Sequence, residues 1–262
     1  MIRYLSVAAA VALGLSPGAW AADVPRTARF GTLETASAET AKVQAAGWLN
    51  QIGKTDAATR EKLEAIWKED ISILDKVTRT FELGDPNLSK LLAEARDTGS
   101  PAPTSIPKVI TEAKGNQFFR SNFTLAYARA LSNRHVHEEV LEVLKLVRPE
   151  QVVDPAAYLF HRALSEHALV QKAPALVSID RLLDDVIGAP ERYRTLAALM
   201  ALDMHSWNEK DLANIARKMK NVERRLDLAR GGAQTQKIQK EIVARLDEMI
   251  KELENKKKGD GC

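Results

Sequence analysis

Cysteine is almost absent. Of 262 residues only the last, Cys262, is one, so no internal pair can form an intramolecular disulfide. Packing alone has to hold the fold. Runs of β-branched residues with a period of two are also missing, which argues against half-buried strands. No apolar run reaches the roughly 20 residues that a membrane-spanning helix needs. Neither charge dominates: 38 Lys and Arg stand against 35 Asp and Glu. So small an excess gives no strong pull toward nucleic acid or an anionic membrane.

The familiar motifs of catalysis are missing too. There is no G-x-S-x-G, no G-x-x-x-x-G-K-[ST], no G-x-G-x-x-G and no H-E-x-x-H. No catalytic residue, cofactor or metal site is expected. His135 and His137 stand two apart at a helix start and diverge by about 200°, while His161 and His167, six apart on one helix, diverge by about 240°. Neither pair shares a face, and these histidines are expected to face solvent or cap helices. The acidic pairs Glu69-Asp70, Glu138-Glu139 and Asp184-Asp185 read as solvated helix faces. The basic stretch Arg217-Lys218-Met219-Lys220 with Arg224-Arg225 alternates with Glu223 and Asp227, so ion pairs within the helix account for it.

The N-terminus carries a three-part pattern. Met1 to Tyr4 is short and basic, Leu5 to Leu15 is apolar, and Ser16-Pro17-Gly18 breaks a helix. Ala19 and Ala21 then occupy the small-x-small positions of a cleavage site. Residues 1–21 are read as a secretory signal peptide cut between Ala21 and Ala22. The expected location is outside the cytoplasm, in the periplasm, the cell envelope or the medium. No Cys follows the cut to take a lipid. Removing residues 1–21 takes away Arg3 and no acid, so the net charge falls from +3 to +2. The mature chain has no candidate transmembrane segment. Cys262, after Lys256-Lys257-Lys258-Gly259-Asp260-Gly261, fits either pairing between chains or a chain cut before a longer tail.

Everything between reads as helix. Residues 22–35 lack periodicity and form a flexible leader. A helical pattern runs from Ala36 to Ile52. A longer one runs from Asp56 to Leu83, with Leu63, Ile66, Trp67, Ile71, Leu74, Val77 and Phe81 on one stripe. Gly84 is placed as its C-cap. Asp85-Pro86 and Asp154-Pro155 start further helices, since Asp caps free amides and Pro at the first position loses no hydrogen bond. Residues 98–107, with Gly99, Pro101, Pro103 and Pro107, form a linker between an N-terminal helical region (36–97) and a second region (108–206). Residues 207–257 hold two long helices joined at Gly231-Gly232. Leu212, Ile215, Met219, Val222 and Leu226 mark the first with heptad-like steps. Residues 258–262 are a disordered end.

Arg129-Ala130-Leu131-Ser132 recurs 33 residues later as Arg162-Ala163-Leu164-Ser165. A period near 34 is that of a two-helix repeat. Residues 126–131 with 138–144 resemble a tetratricopeptide repeat, and the resemblance covers roughly 121–187. Ala128 suits the small position of the first helix, whereas Val140, Val147 and His161 depart from the pattern. More loosely, Arg192-Tyr193-Arg194, Arg224 to Gly232, Thr235 to Lys240 and Ala244 to Lys251 resemble uncharacterised exported helical proteins of planctomycete bacteria. That group implies a Gly-rich tail after this point and supplies no activity to carry over.

The expected fold is therefore all-α, an array of helical hairpins followed by a long helical hairpin. The expected function is that of an exported scaffold binding a protein partner of unknown identity. Its groove is expected to be lined by the first helix of each pair, with Arg129, Arg162, Glu166 and His167 as candidate contacts. Two alternatives stand beside it. One is a helical cell-envelope hydrolase of glycan or peptide, built on a buried Glu166. The other is a structural homo-oligomer joined through residues 208–256.

Overall fold

The structure, a computed structural model, describes residues 31–112 and 115–259, with side chains as far as residue 256. The expected signal peptide with its cut at Ala21 and Ala22, residues 22–30 of the leader, and residues 260–262 lie outside the described residues.

The described chain is all-α. Its helices are α1 (Ala38–Gln51), α2 (Ala57–Lys68), α3 (Ile73–Gly84), α4 (Pro86–Arg96), α5 (Lys108–Thr111), α6 (Gln117–Asn133), α7 (His137–Leu144), α8 (Pro155–Ala168), α9 (Lys172–Asp180), α10 (Glu191–His205), α11 (Leu212–Asp227) and α12 (Ala233–Gly259). Two-residue strands β1 (Leu33–Glu34) and β2 (Val186–Ile187) pair in parallel, Leu33 opposite Val186. The end of the expected leader is thus pinned to the body, because Leu33 is apolar and finds a buried site. Among the described residues no helix is long and apolar enough to cross a membrane. Lys258 and Gly259, expected in a disordered end, belong to α12.

Local chemistry explains most helix starts. Ser37, Asp56, Ser72, Asp85, Asn116, Asp154 and Asp211 each accept a hydrogen bond from a free amide of the first turn. Each such cap contributes about 1 kcal/mol. Ser72 also explains a departure from expectation. The single helix expected from Asp56 to Leu83 is two helices, because Glu69 turns extended and Ser72 Oγ takes the Asp75 amide at 3.1 Å. The break folds α3 back on α2, and Trp67 Nε1 donates to Thr80 Oγ1 at 3.1 Å.

Gly84 serves packing, not capping. It is the last residue of α3, and a Cβ there would stand 2.4 Å from the Trp48 ring. Other helices end in the left-handed conformation without glycine: His135 after α6, Val170 after α8 and Ala229 after α11. In each the next amide bonds five residues back, as Val136 to Leu131 (3.0 Å) and Gln171 to Glu166 (2.8 Å). This double closure of the last turn holds even β-branched Val170 at φ 60, a sterically strained position.

One continuous apolar core joins α1 to α10. At its centre Trp48 of α1 stacks on Phe119 of α6 and meets the edge of Phe81 of α3, both with ring centres 5.0 Å apart. α6 runs through the middle, buried at eleven of its seventeen residues. Its buried Asn122 is matched on both sides, accepting from the Val153 amide at 2.7 Å and donating to Phe118 at 2.8 Å. The helices on either side of residues 98–107 share this core, since α3 and α4 both pack on α6. That segment is itself tied down by Arg134, which donates to the Glu94 and Ser100 carbonyls, and by Arg230, which donates to Pro103 at 2.8 Å.

α11 and α12 are built differently. They lie antiparallel, as Lys218 bonds Glu241 (2.8 Å) and Arg245 reaches back to the Lys210 carbonyl (2.8 Å). Only Ile215, Val222 and Ile242 form their own small core, backed by Ile238 and Met249. Their tie to the body is mainly ionic, with Leu228 between them packed on the body's core. Arg224 and Arg225 both bind Glu138 of α7, and Arg230 binds Glu139. Glu138-Glu139 is therefore no solvated face, and Arg224-Arg225 do not find their main partners within their own helix. The sequence spacing permitted the local pairs, but folding brings a half-buried carboxylate within reach instead.

Candidate functional site

A concave cavity of about 650 Å³ opens where α3, α4, α6, α8 and α10 meet. Its wall is rich in arginine: Arg79 from α3, Arg96 from α4, Arg129 from α6 and Arg192 from α10. Among the described residues two carboxylates line it, Asp75 and Glu82. Apolar side chains, Ile71, Phe160 and Leu196 among them, fill the remainder.

The arginines are held in different ways. Arg129 binds Asp75, itself bonded to Ser72. Burial pushes the Asp75 carboxyl up, but Arg129 and Ser72 outweigh it and hold it below the usual range. Arg79 turns away to Glu69. Arg192 lies 5.0 Å over the Tyr193 ring, which stacks on Phe160 with centres 4.2 Å apart. Among the described residues neither Arg192 nor Arg96 holds a carboxylate in an ion pair. Burial raises the Glu82 carboxyl, and the nearby Arg96 and Arg79 only partly oppose it.

His161 completes the wall. Its Nδ1 stands 2.9 Å from Ser132 Oγ, and its buried Nε2 has no hydrogen-bond partner among the described residues. Burial, with the charges of Arg129 and Arg192, lowers its pKa to about 4, so it is neutral at pH 7. A second pair mirrors it: His137 Nδ1 stands 3.1 Å from Ser165 Oγ, and burial, helped by Arg224, lowers the His137 pKa to about 3. Ser132 and Ser165 are the last residues of the two echoed Arg-Ala-Leu-Ser segments. Two of the four histidines expected at the surface, His137 and His161, are instead buried, each held by a serine on a neighbouring helix, while His135 is exposed as expected and His167 is half-buried. The echoed segments do not sit at the same height. Ser132 precedes the left-handed residue of its turn by three positions, Ser165 by five. Two residues turn a helix by about 200°, so Arg129 and Arg162 emerge on different sides.

Of the four expected groove contacts, one lies in the groove. Arg129 does. Arg162 is on another face of α8 and bonds Glu166 at 2.9 Å. Glu166 is buried and also accepts from Ser178 Oγ at 2.6 Å, which satisfies both carboxylate oxygens and keeps it out of the cavity wall. It packs between α8 and α9, so the carboxylate on which a hydrolase would be built has no access to a groove. His167 lies on a second cleft, where its Nε2 stands 3.0 Å from Asp203 and Trp207 Nε1 donates to the same oxygen at 3.0 Å. Sequence reasoning missed Arg79, Arg96, His161, Arg192 and Tyr193. Nothing local marks them, because they come from four helices spread over more than 110 residues. Among the described residues no three His, Cys, Asp or Glu side chains gather as a metal site would require.

Comparison of the chain with protein-family models, with curated proteins and with solved structures finds no match.

Proposed function

We propose that this chain is a protein-binding module that takes an acidic, extended segment of a partner protein into the arginine-lined groove. The observation that carries this reading is the imbalance of that wall: among the described residues it holds four guanidiniums against two carboxylates, and neither Arg96 nor Arg192 pairs with an acid. Guanidinium is weakly hydrated and suits bidentate capture of carboxylate, so such a wall favours an anionic occupant. The apolar floor gives a peptide surface to lie on, and His161 offers a nitrogen with no protein partner. The consecutive packing of α6, α7, α8 and α9 supports the two-helix repeat reading, in which such concave faces bind extended chains. The N-terminal pattern supports a site of action outside the cytoplasm, as in the exported helical proteins that the sequence resembles.

The test is a titration of a fluorescein-labelled deca-glutamate peptide, followed by anisotropy. Saturable binding that weakens with added salt is expected, and a deca-lysine peptide should not bind. The double substitution Arg96→Glu and Arg192→Glu, both on exposed side chains, should weaken binding at least tenfold, about 1.4 kcal/mol or more. Equal affinity in that variant, or no binding by the unaltered chain, would overturn the reading.

A further inference from the structure

The helical hairpin of α11 and α12 is apolar on two sides, and only one side is used. On the inner side Ile215 and Val222 meet Ile242. The outer side carries a second stripe. On α11 it consists of Leu212, Met219 and Leu226, spaced by seven and 49–62 % exposed. On α12 it consists of Val243, Leu246, Ile250 and Leu253, in steps of three, four and three, 37–59 % exposed. The two stripes face the same way, since Met219, Leu226 and Val243 together line one open groove of about 600 Å³. Heptad steps on a solvent face are the pattern of a helix seam awaiting a partner.

We infer that this face is covered by a second copy of the chain, the two hairpins closing into an antiparallel four-helix bundle. Three observations favour a copy over another occupant. The hairpin core has only three buried apolar side chains, too few for a stable two-helix unit, and a copy completes it with the same stripe. The seven exposed side chains offer on the order of 600 Å² per copy, near the roughly 800 Å² per partner of a standard interface once flanking groups are added. The charges beside the stripe are also mixed: Glu223 and Asp227 follow α11, and Lys240 follows α12. A two-fold axis along the bundle keeps heights constant. The Lys218–Glu241 pairing then sets Glu223 of one copy about one helical turn from Lys240 of the other. A single-signed edge would repel a copy, and this one does not. The bundle also sets two acid-binding grooves on one particle, so a partner with two acidic segments gains from avidity.

The test is the mass of the purified chain in reductant, by sedimentation equilibrium over a hundredfold range of concentration. The expected mass is twice that of one chain. Met219→Lys with Leu246→Lys alters exposed positions, so the far-ultraviolet circular dichroism should keep its helical signal while the mass halves. Glu223→Lys should weaken the dimer, and Lys240→Glu added to it should restore the dimer. A single-chain mass throughout, a dimer that survives the two lysines, or an open-ended series of masses would each overturn the inference. The peptide titration on the Met219→Lys, Leu246→Lys chain keeps the two proposals apart: groove affinity for the monovalent probe should be unchanged whether or not the dimer forms.

Discussion

The body from α1 to α10 and the hairpin of α11 and α12 are both helical and both patterned every three or four residues, yet they are ordered by different forces. In the body Leu74, Val77, Phe81, Leu125 and Leu131 are fully buried, and the buried Asn122 is hydrogen-bonded. In the hairpin apolar burial is nearly absent, and three arginines docked on Glu138 and Glu139 hold the unit to the body. Helical periodicity therefore reports which residues share a face but not whether that face is covered. The body buries most of its apolar surface, although Leu196, Leu199 and Leu202 of α10 stay exposed. The hairpin leaves half of its own exposed.

The largest effect that sharpens this contrast is truncation in the aromatic centre. Phe81→Ala removes a ring in contact with Trp48, Phe118 and Phe119, and should cost about 3–5 kcal/mol in urea unfolding followed by tryptophan fluorescence. A loss below about 1 kcal/mol would mean that this centre does not hold the body, and the contrast with the hairpin would fail.

Acid is the next lever. His137 and His161 are held neutral, with pKa values lowered to about 3 and about 4. The unfolded chain binds these protons more readily, so the stability they contribute is fully present above about pH 6.5 and is lost as pH falls toward 4 and then 3. For the two together the loss should be about 2.5 kcal/mol, read from unfolding midpoints at pH 7 and pH 5.5. His137→Gln with His161→Gln should flatten that dependence. A slope that survives in the double variant would place the acid sensitivity elsewhere.

Smaller still is the clamp. Burial pushes the Glu138 carboxyl up, but the hydrogen bond and charge of Arg224, joined by Arg225, lower its pKa to about 2. The docking it provides is present above about pH 4.5 and is lost as pH falls toward 2. At neutral pH Glu138→Gln should reduce amide-exchange protection in α11 by about 2 kcal/mol and leave α3 and α6 unchanged. Equal loss in all three helices would show that body and hairpin unfold as one unit, and the comparison would collapse.

Much of the fold was legible because its signals are local. Asp85-Pro86 and Asp154-Pro155 announced α4 and α8, and Leu212, Ile215, Met219, Val222 and Leu226 announced α11. Where the reading slipped, a long-range contact won. The break at Glu69 to Ser72 was hidden because the apolar stripe continues across it. Gly84 resembled a cap, but the Trp48 ring from 36 residues earlier explains it. Of the groove only Arg129 was anticipated, because its neighbours are spread over four helices.

Sequence alone determined the helix starts, the apolar faces and the missing disulfides, since caps and stripes act between residues within about four positions of each other. Tertiary structure alone decided which histidines are buried, that Arg224 and Arg225 reach Glu138 some 86 residues away, and that Leu33 pairs with Val186. Those choices depend on which surfaces the folded helices bring together. A charged or titratable side chain carries no local mark of the partner that burial will give it.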